Sequence, residues 1–321
     1  MPYLKNSTYK APSFLFKNAH FNTIFPALFR KVKNVNYTRE RIDTPDGDFL
    51  DLDWLKVGSR RLVIVIHGLE GDASRSYVRG MVRIFNEEGW DAIGFNFRGC
   101  SGEMNRKPQS YHMGWTYDID FLTKKIADEG VYQEVVLVGF SLGGNTILKY
   151  LGEQADEVSP IVKKAVAFSV PVHIPSTNIG FNEPKNWIYL RRFVQNLNEK
   201  AIEKKKVFGD EIPIDLNNLP RNFDEFDELI TGPIHGYKNA EDYWIRCSSL
   251  QFLPNIKIPT LLVNAADDTF LSDQCYPAEL AEQHEFFHFE MPAYGGHVGF
   301  TTFGKEGRYW SEERAVKFVK S

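Results

Sequence analysis

One serine, one histidine and a pair of aspartates, far apart along the chain, are the residue types that nucleophilic catalysis needs. The serine is Ser141, in Val138-Gly139-Phe140-Ser141-Leu142-Gly143-Gly144-Asn145. A hydroxyl is a poor nucleophile at neutral pH. It needs a general base, and the base needs an orienting carboxylate. G-x-S-x-G supplies the nucleophile when it stands where a strand breaks into a helix, because that turn lifts the hydroxyl out of the sheet. The flanks meet the condition. Glu134-Val135-Val136-Leu137-Val138 is short, apolar and β-branched, and reads as a buried strand. Leu142, Ile147, Leu148 and Leu151 fit one helical face. Gly139 and Gly143 allow close backbone approach, and the helix N-terminus favours developing negative charge. A glycine-rich turn with a chance serine is the bland alternative, and the motif alone does not exclude it.

The partners weigh against chance. Around such an elbow the chain order is Ser, then Asp or Glu, then His, on loops after late strands. After the apolar run Thr260-Leu261-Leu262-Val263 comes Asn264-Ala265-Ala266-Asp267-Asp268, and near the end comes Tyr294-Gly295-Gly296-His297-Val298-Gly299. Asp268 is preferred over Asp267 because Thr269-Phe270-Leu271 follows it; Asp267 is then a turn or supporting residue. A tetrahedral intermediate also needs oxyanion donors. One is expected at the Leu142 N–H, next to the nucleophile, and one at the Leu69 N–H, in His67-Gly68-Leu69-Glu70-Gly71.

Other reactive residues read as bystanders. His284-Glu285-Phe286-Phe287-His288 matches H-E-x-x-H, but that pattern binds zinc only on a helix, and this aromatic stretch sits where the last strand belongs. The reading therefore needs no metal and no cofactor. Cys100 has no histidine placed for it and reads as a structural thiol. His20 reads as a packed or surface histidine, and Lys204-Lys205-Lys206 as a solvated helix end.

The elements that must position these groups follow from hydrophobic periodicity. Residues 1–35 read as an aromatic extension lying on the domain surface. Tyr37 to Ile42 and Phe49 to Leu55 flank the turn Thr44-Pro45-Asp46-Gly47-Asp48, as in a hairpin. There Leu50, Leu52 and Trp54 alternate with Asp51 and Asp53, which implies one buried face and one wet face. Leu62 to Ile66 reads as a central strand, Val78 to Glu88 as a helix, Trp90 to Phe97 as a strand and Tyr117 to Asp128 as a helix. The elbow follows, then a strand at Lys164 to Val170. This alternation implies a parallel sheet with helices on both faces. It stops after Pro171. Residues 172–254 show helical spacing, as at Trp187, Leu190, Val194 and Leu197, and no strands. They are far longer than the usual two to six residues of an α/β connection, so a helical cap inserted into a core of 36–171 and 255–321 is expected. The core closes with a strand near Glu285 to Met291 and a helix near Trp310 to Val319.

Totals narrow the function class. With 321 residues, 43% hydrophobic, the chain can bury a large α/β core. A net charge of −4 with no basic stripe argues against nucleic acid. Three scattered cysteines suggest a reducing compartment, and no apolar run suggests a signal peptide or transmembrane segment. A cytoplasmic location is the expectation. Nothing sets the oligomeric state.

Taken together the motifs resemble the YheT-like family of α/β-hydrolases, bacterial esterases related to animal and plant α/β-hydrolase-domain lipases. The resemblance spans nearly the whole chain. It rests on Phe21-Asn22-Thr23, Pro26, Pro45-Asp46-Gly47-Asp48, His67 to Gly71, Phe97-Arg98-Gly99-Cys100-Ser101-Gly102, Gly139 to Asn145, Ile234-His235-Gly236-Tyr237 and Gly295 to Phe300. It implies the α/β-hydrolase fold, a triad at Ser141, Asp268 and His297, and hydrolysis of small-molecule acyl esters. The family usually has proline after the catalytic aspartate, where this chain has Thr269. Short- to medium-chain esters or acylglycerols are the expected substrates. The rival readings are acyl transfer, thioester or amide cleavage by the same triad, and a non-catalytic binding module on the same scaffold.

Overall fold

In the computed structural model, which describes residues 3–4 and 6–321, nine strands form one sheet. They are β1 (Tyr3–Leu4), β2 (Thr38–Asp43), β3 (Phe49–Leu55), β4 (Arg61–Ile66), β5 (Asp91–Asn96), β6 (Glu134–Phe140), β7 (Val162–Phe168), β8 (Thr260–Val263) and β9 (Phe287–Glu290). Their order across the sheet is β1-β9-β8-β7-β6-β4-β5-β3-β2. Pairing is parallel except where β3 joins β2 and β5. The helices are α1 (Ala19–Phe29), α2 (Ser76–Glu87), α3 (Tyr117–Glu129), α4 (Leu142–Gln154), α5 (Ile174–Phe181), α6 (Trp187–Phe208), α7 (Phe223–Phe226), α8 (Gly232–His235), α9 (Ala240–Cys247), α10 (Ala278–Gln283) and α11 (Trp310–Lys320).

The continuous apolar runs fill both faces of the sheet, as doubly covered parallel strands must. Leu62, Ile64 and Ile66 share one core with Ile119 and Leu122 of α3 and Ile147 and Leu148 of α4. Val63 and Val65 face the other way, onto Val78, Met81 and Phe85 of α2 and Val316 and Val319 of α11.

Register brings the candidate groups to one edge. Ile66 pairs with Gly139, and Gly139 with Ala167. Phe168 pairs with Val263, and Val263 with Glu290. The turns that leave β4, β6, β7, β8 and β9 therefore emerge side by side at the strands' carboxyl ends. Between β7 and β8 the chain is helical, from α5 to α9, with no strand among the described residues.

Two local expectations are corrected. Asp51 and Asp53 are buried, at 2% and 5% exposure, not wet. β3 is an interior strand, and β2 lays Arg41 and Arg39 over the two carboxylates, each guanidinium making paired 2.8 Å bonds. Lys204 is no solvated helix end either. Its ammonium donates to the carbonyls of Lys107, Pro108 and Gln109 at 2.8, 2.9 and 3.0 Å. Burial there lowers its pKa to about 7. The bond set pins α6 to the loop after β5.

Arg98, at the end of β5, explains why two sequence motifs belong together. Its buried guanidinium binds Asp118 of α3 at 2.6 Å and Asp46 of the hairpin turn at 2.6 Å, with Asp48 at 3.3 Å. Removing one partner of a buried ion set strands the rest. Arg98→Met is expected to destabilise the protein by about 3–5 kcal/mol, read as a lower urea midpoint.

Candidate active site

Ser141 follows β6 directly and precedes α4. Its backbone is forced into φ 52°, ψ −118°, a region costly for any residue with a side chain. Two things hold it there. The Ser141 N–H donates to the Phe168 carbonyl at 2.8 Å. Gly143 packs so tightly under β4 that a Cβ there would lie 2.5 Å from the His67 carbonyl oxygen. Strain concentrates around this point. Of the eight non-glycine residues with positive φ among those described, Glu70, Ser141, Ser169, Val298 and Phe300 all border the site's loops.

The histidine arrives on the loop after β9. His297 Nε2 lies 2.9 Å from Ser141 Oγ, and Nδ1 lies 2.9 Å from Asp268 Oδ2. Asp268 is buried at 4% exposure, and its other oxygen accepts the Phe270 N–H at 3.0 Å. With Nδ1–H donated to Asp268, Nε2 keeps its lone pair toward the serine hydroxyl. The Phe270 ring covers the imidazole at 4.3 Å between centroids. Asp267 points elsewhere. Its Oδ1 accepts the Gly296 N–H at 2.9 Å, and burial pushes its carboxyl up to about 6.

The loop after β4 lies against the serine: a Cβ on Gly68 would be 3.1 Å from Ser141 Cβ. Its flanking amides are occupied. The Gly68 N–H donates to Tyr77 Oη at 3.1 Å, and the Glu70 N–H to Tyr111 Oη at 2.8 Å. Among the described residues the Leu69 N–H between them has no protein acceptor, nor has the Leu142 N–H at the start of α4. His67 is structural. Its Nδ1–H donates to the Gly68 carbonyl at 2.7 Å, its Nε2 accepts the Phe97 N–H at 3.2 Å, and burial lowers its pKa to about 4. It therefore stays neutral and fixes the loop.

Several supporting residues were not assigned a role from sequence. Thr23 Oγ1 accepts the His297 N–H at 2.9 Å, Ser169 Oγ accepts the Val298 N–H at 2.9 Å, and Asn22 Oδ1 accepts the Thr301 N–H at 3.2 Å. The Phe21-Asn22-Thr23 motif is thus a clamp from α1 onto the histidine loop. Its position was legible in the sequence; its partner, 274 residues away, was not. Thr23→Val leaves the His297 amide unpaired, a cost of about 1–2 kcal/mol. If the His297 loop positions a catalytic base, kcat/KM is expected to fall roughly 5- to 30-fold, with Thr23→Ser near wild type.

Glu70 links the same loop to α6. Its carboxylate accepts Tyr111 O–H at 2.7 Å and Lys200 Nζ at 3.0 Å. Lys200 also lies 3.3 Å from Cys100 Sγ. Cys100 is buried, and desolvation raises its thiol to about 11, so it is not poised as a nucleophile. The H-E-x-x-H stretch is split between elements: His284 follows α10 and His288 lies in β9. Among the described residues no group of three or more His, Cys, Asp or Glu could hold a metal ion.

Two cavities meet at the serine. One, about 540 Å³, lies beneath the helical segment and is lined by Leu69, Ser141, Leu142, Phe181, Phe226 and His297 among others. The second, about 590 Å³, runs from Ser141 and His297 between Tyr189 of α6 and Ile24, Ala27 and Leu28 of α1.

This fold and edge arrangement define a class. The model of the α/β hydrolase fold family matches residues 61–300, and the chain belongs to that family. It is 34% identical to YheT of Escherichia coli (strain K12), provisionally named an esterase, over 89% of this chain and 85% of that protein. The monoacylglycerol lipase of Saccharomyces cerevisiae is 31% identical, over 86% of this chain and 62% of its own length. Mouse phospholipase ABHD3 is 28% identical, over 83% and 67%. Among solved structures the Pyrococcus furiosus esterase Pf2001 superposes with a TM-score of 0.61 at 19% identity, over 99% of this chain and 98% of that one.

Proposed function

We propose that this protein is a serine hydrolase that cleaves carboxylic esters of short to medium acyl chains, or acylglycerols. The observation that carries the reading is the unbroken chain of contacts from Asp268 through His297 to Ser141, 2.9 Å at each step. Ester hydrolysis is further supported by the esterase and lipase names of the relatives.

Ser141 Oγ attacks the ester carbonyl as its proton passes to His297 Nε2. Asp268 holds the imidazole and stabilises the imidazolium. The Leu69 and Leu142 amides receive the oxyanion. Each such donor is typically worth roughly 2.7–4 kcal/mol of barrier. The intermediate collapses, the alcohol leaves with the proton from His297, and the acyl group stays on Ser141. Water then repeats the cycle with the same base and releases the acid. Residues 172–254 serve as a helical cap, and the cavity beneath them takes the acyl chain. Its volume lies within the range of small-molecule sites.

The test is a series of p-nitrophenyl esters from acetate to palmitate, with competing alcohols added. The expected result is a rate maximum at short to medium chains and free acid as the main product. Ester formation with the added alcohol as the main product would favour acyl transfer instead.

A further inference from the structure

The first 38 residues hold six of the chain's 38 basic residues and none of its 42 acidic ones, in a protein of net charge −4. Five of the sixteen exposed large apolar residues among those described also lie there. Among the described residues, Phe14 is 79% exposed and Leu28 and Phe29 are each 65% exposed, with Leu15 and Ile24 beside them. An aromatic cluster runs through the same segment. Phe16 touches the rings of Phe21, Phe25 and Phe303, and Phe25 touches Phe29. Phe303 is itself exposed. α6 starts alongside: Tyr189 Oη lies 3.1 Å from His20 Nδ1, and the preceding Trp187 and Ile188 are exposed. Lys10, Lys17, Lys31 and Lys33 flank these residues in sequence and are exposed, Lys31 lines the same cavity wall as Ile24 and Leu28, and among the described residues none of the four pairs with a carboxylate. The patch is also next to the chemistry. Ile24 and Leu28 line the wall of the cavity that ends at Ser141 and His297.

A packed protein surface rarely gathers so many large apolar side chains unless something covers them. Exposed aromatic and aliphatic residues interspersed with exposed lysines, in a segment without a carboxylate, match one covering chemistry, an acyl layer beneath anionic headgroups. A protein partner would have to supply both an apolar face and an acidic rim. A lipid surface supplies both everywhere. We propose that α1 and the residues before it form an interfacial docking surface for anionic lipid membranes, which seats the second cavity on the bilayer so that an ester can enter without crossing water. The proposal rests on the ester-hydrolase reading for its purpose, but the binding itself is independent of catalysis.

The full chain carrying Ser141→Ala is sedimented with vesicles of phosphatidylcholine alone or of equal parts phosphatidylcholine and phosphatidylglycerol. Partitioning is expected to be roughly tenfold or more stronger on the anionic vesicles, and to weaken as sodium chloride is raised. Phe14→Asp with Phe29→Asp, and separately Lys10→Glu with Lys33→Glu, should each reduce partitioning roughly tenfold. In the Ser141 background both pairs should leave kcat/KM on soluble p-nitrophenyl acetate unchanged, which also reports folding. No binding to anionic vesicles overturns the proposal, as does equal binding by both variant pairs. A concentration-dependent dimer that Phe14→Asp with Phe29→Asp disperses, without vesicle binding, would assign the patch to a second copy of this chain. Vesicle binding without hydrolysis of any soluble ester would sink the esterase reading and leave the docking surface standing.

Discussion

Ser141→Ala is expected to lower kcat/KM on a p-nitrophenyl ester by roughly 10⁴-fold or more, with little change in melting temperature. The loss is large because the hydroxyl is the group that His297 Nε2 faces at 2.9 Å, and alanine offers nothing to deprotonate. The fold is spared for three reasons. The bonds that hold the turn use the Ser141 backbone, whose N–H donates to the Phe168 carbonyl at 2.8 Å and whose carbonyl accepts the Asn145 N–H at 3.0 Å. His297 and Asp268 stay paired at 2.9 Å. Alanine also carries the same Cβ into the same strained φ of 52°. Residual turnover over water should persist, because the Leu69 and Leu142 amides are unaffected; oxyanion donors and binding alone leave about 10³–10⁴-fold in related sites. Kinetics alongside a melting curve separate this outcome from simple unfolding.

Asp268→Asn is the second large effect, about 10⁴-fold in kcat, and its contrast with Asp267→Asn tells the adjacent carboxylates apart. An asparagine amide turned toward His297 Nδ1 makes that nitrogen an acceptor. The proton then sits on Nε2, where the lone pair is needed. Asp267 meets the histidine loop through backbone amides, the Gly296 N–H at 2.9 Å and that of Gly295, and not through the imidazole, so Asp267→Asn should retain most activity. Its signature lies in stability. Burial raises the folded carboxyl from 3.8 to about 6, so between those values the folded state holds a proton that the unfolded chain has lost. That contribution is complete below about pH 4 and disappears as pH rises through about 6. The urea midpoint of wild type relative to Asp267→Asn should therefore fall across this window. A flat difference would contradict the placement of Asp267, and equal loss of activity in both variants would contradict the division of roles.

Much of this was legible because it depends on local chemistry. β-branched runs mark buried strands wherever they fall, so β4, β6 and β7 could be read within a residue or two of their observed ends. G-x-S-x-G carries its own steric logic, and chain order then nominates Asp268 and His297. What escaped depends on partners distant in sequence. Alternation along β3 identified its apolar face correctly, but solvation of the other face depends on Arg39 and Arg41 of the adjacent strand. Lys204 reads as solvated in any local window; only the fold brings three carbonyls to it. The clamp from Thr23 to His297 is of the same kind, since a threonine on an aromatic helix gives no sign that its hydroxyl receives an amide from the far end of the chain.

The most direct measurement is mass spectrometry of the protein after reaction with a fluorophosphonate, which phosphonylates a serine only when a base activates it. The account predicts a single adduct, mapped to the peptide containing Ser141 and abolished in His297→Ala. An unlabelled protein that still hydrolyses esters, or an adduct on another residue that survives loss of the Ser141 hydroxyl, would contradict it.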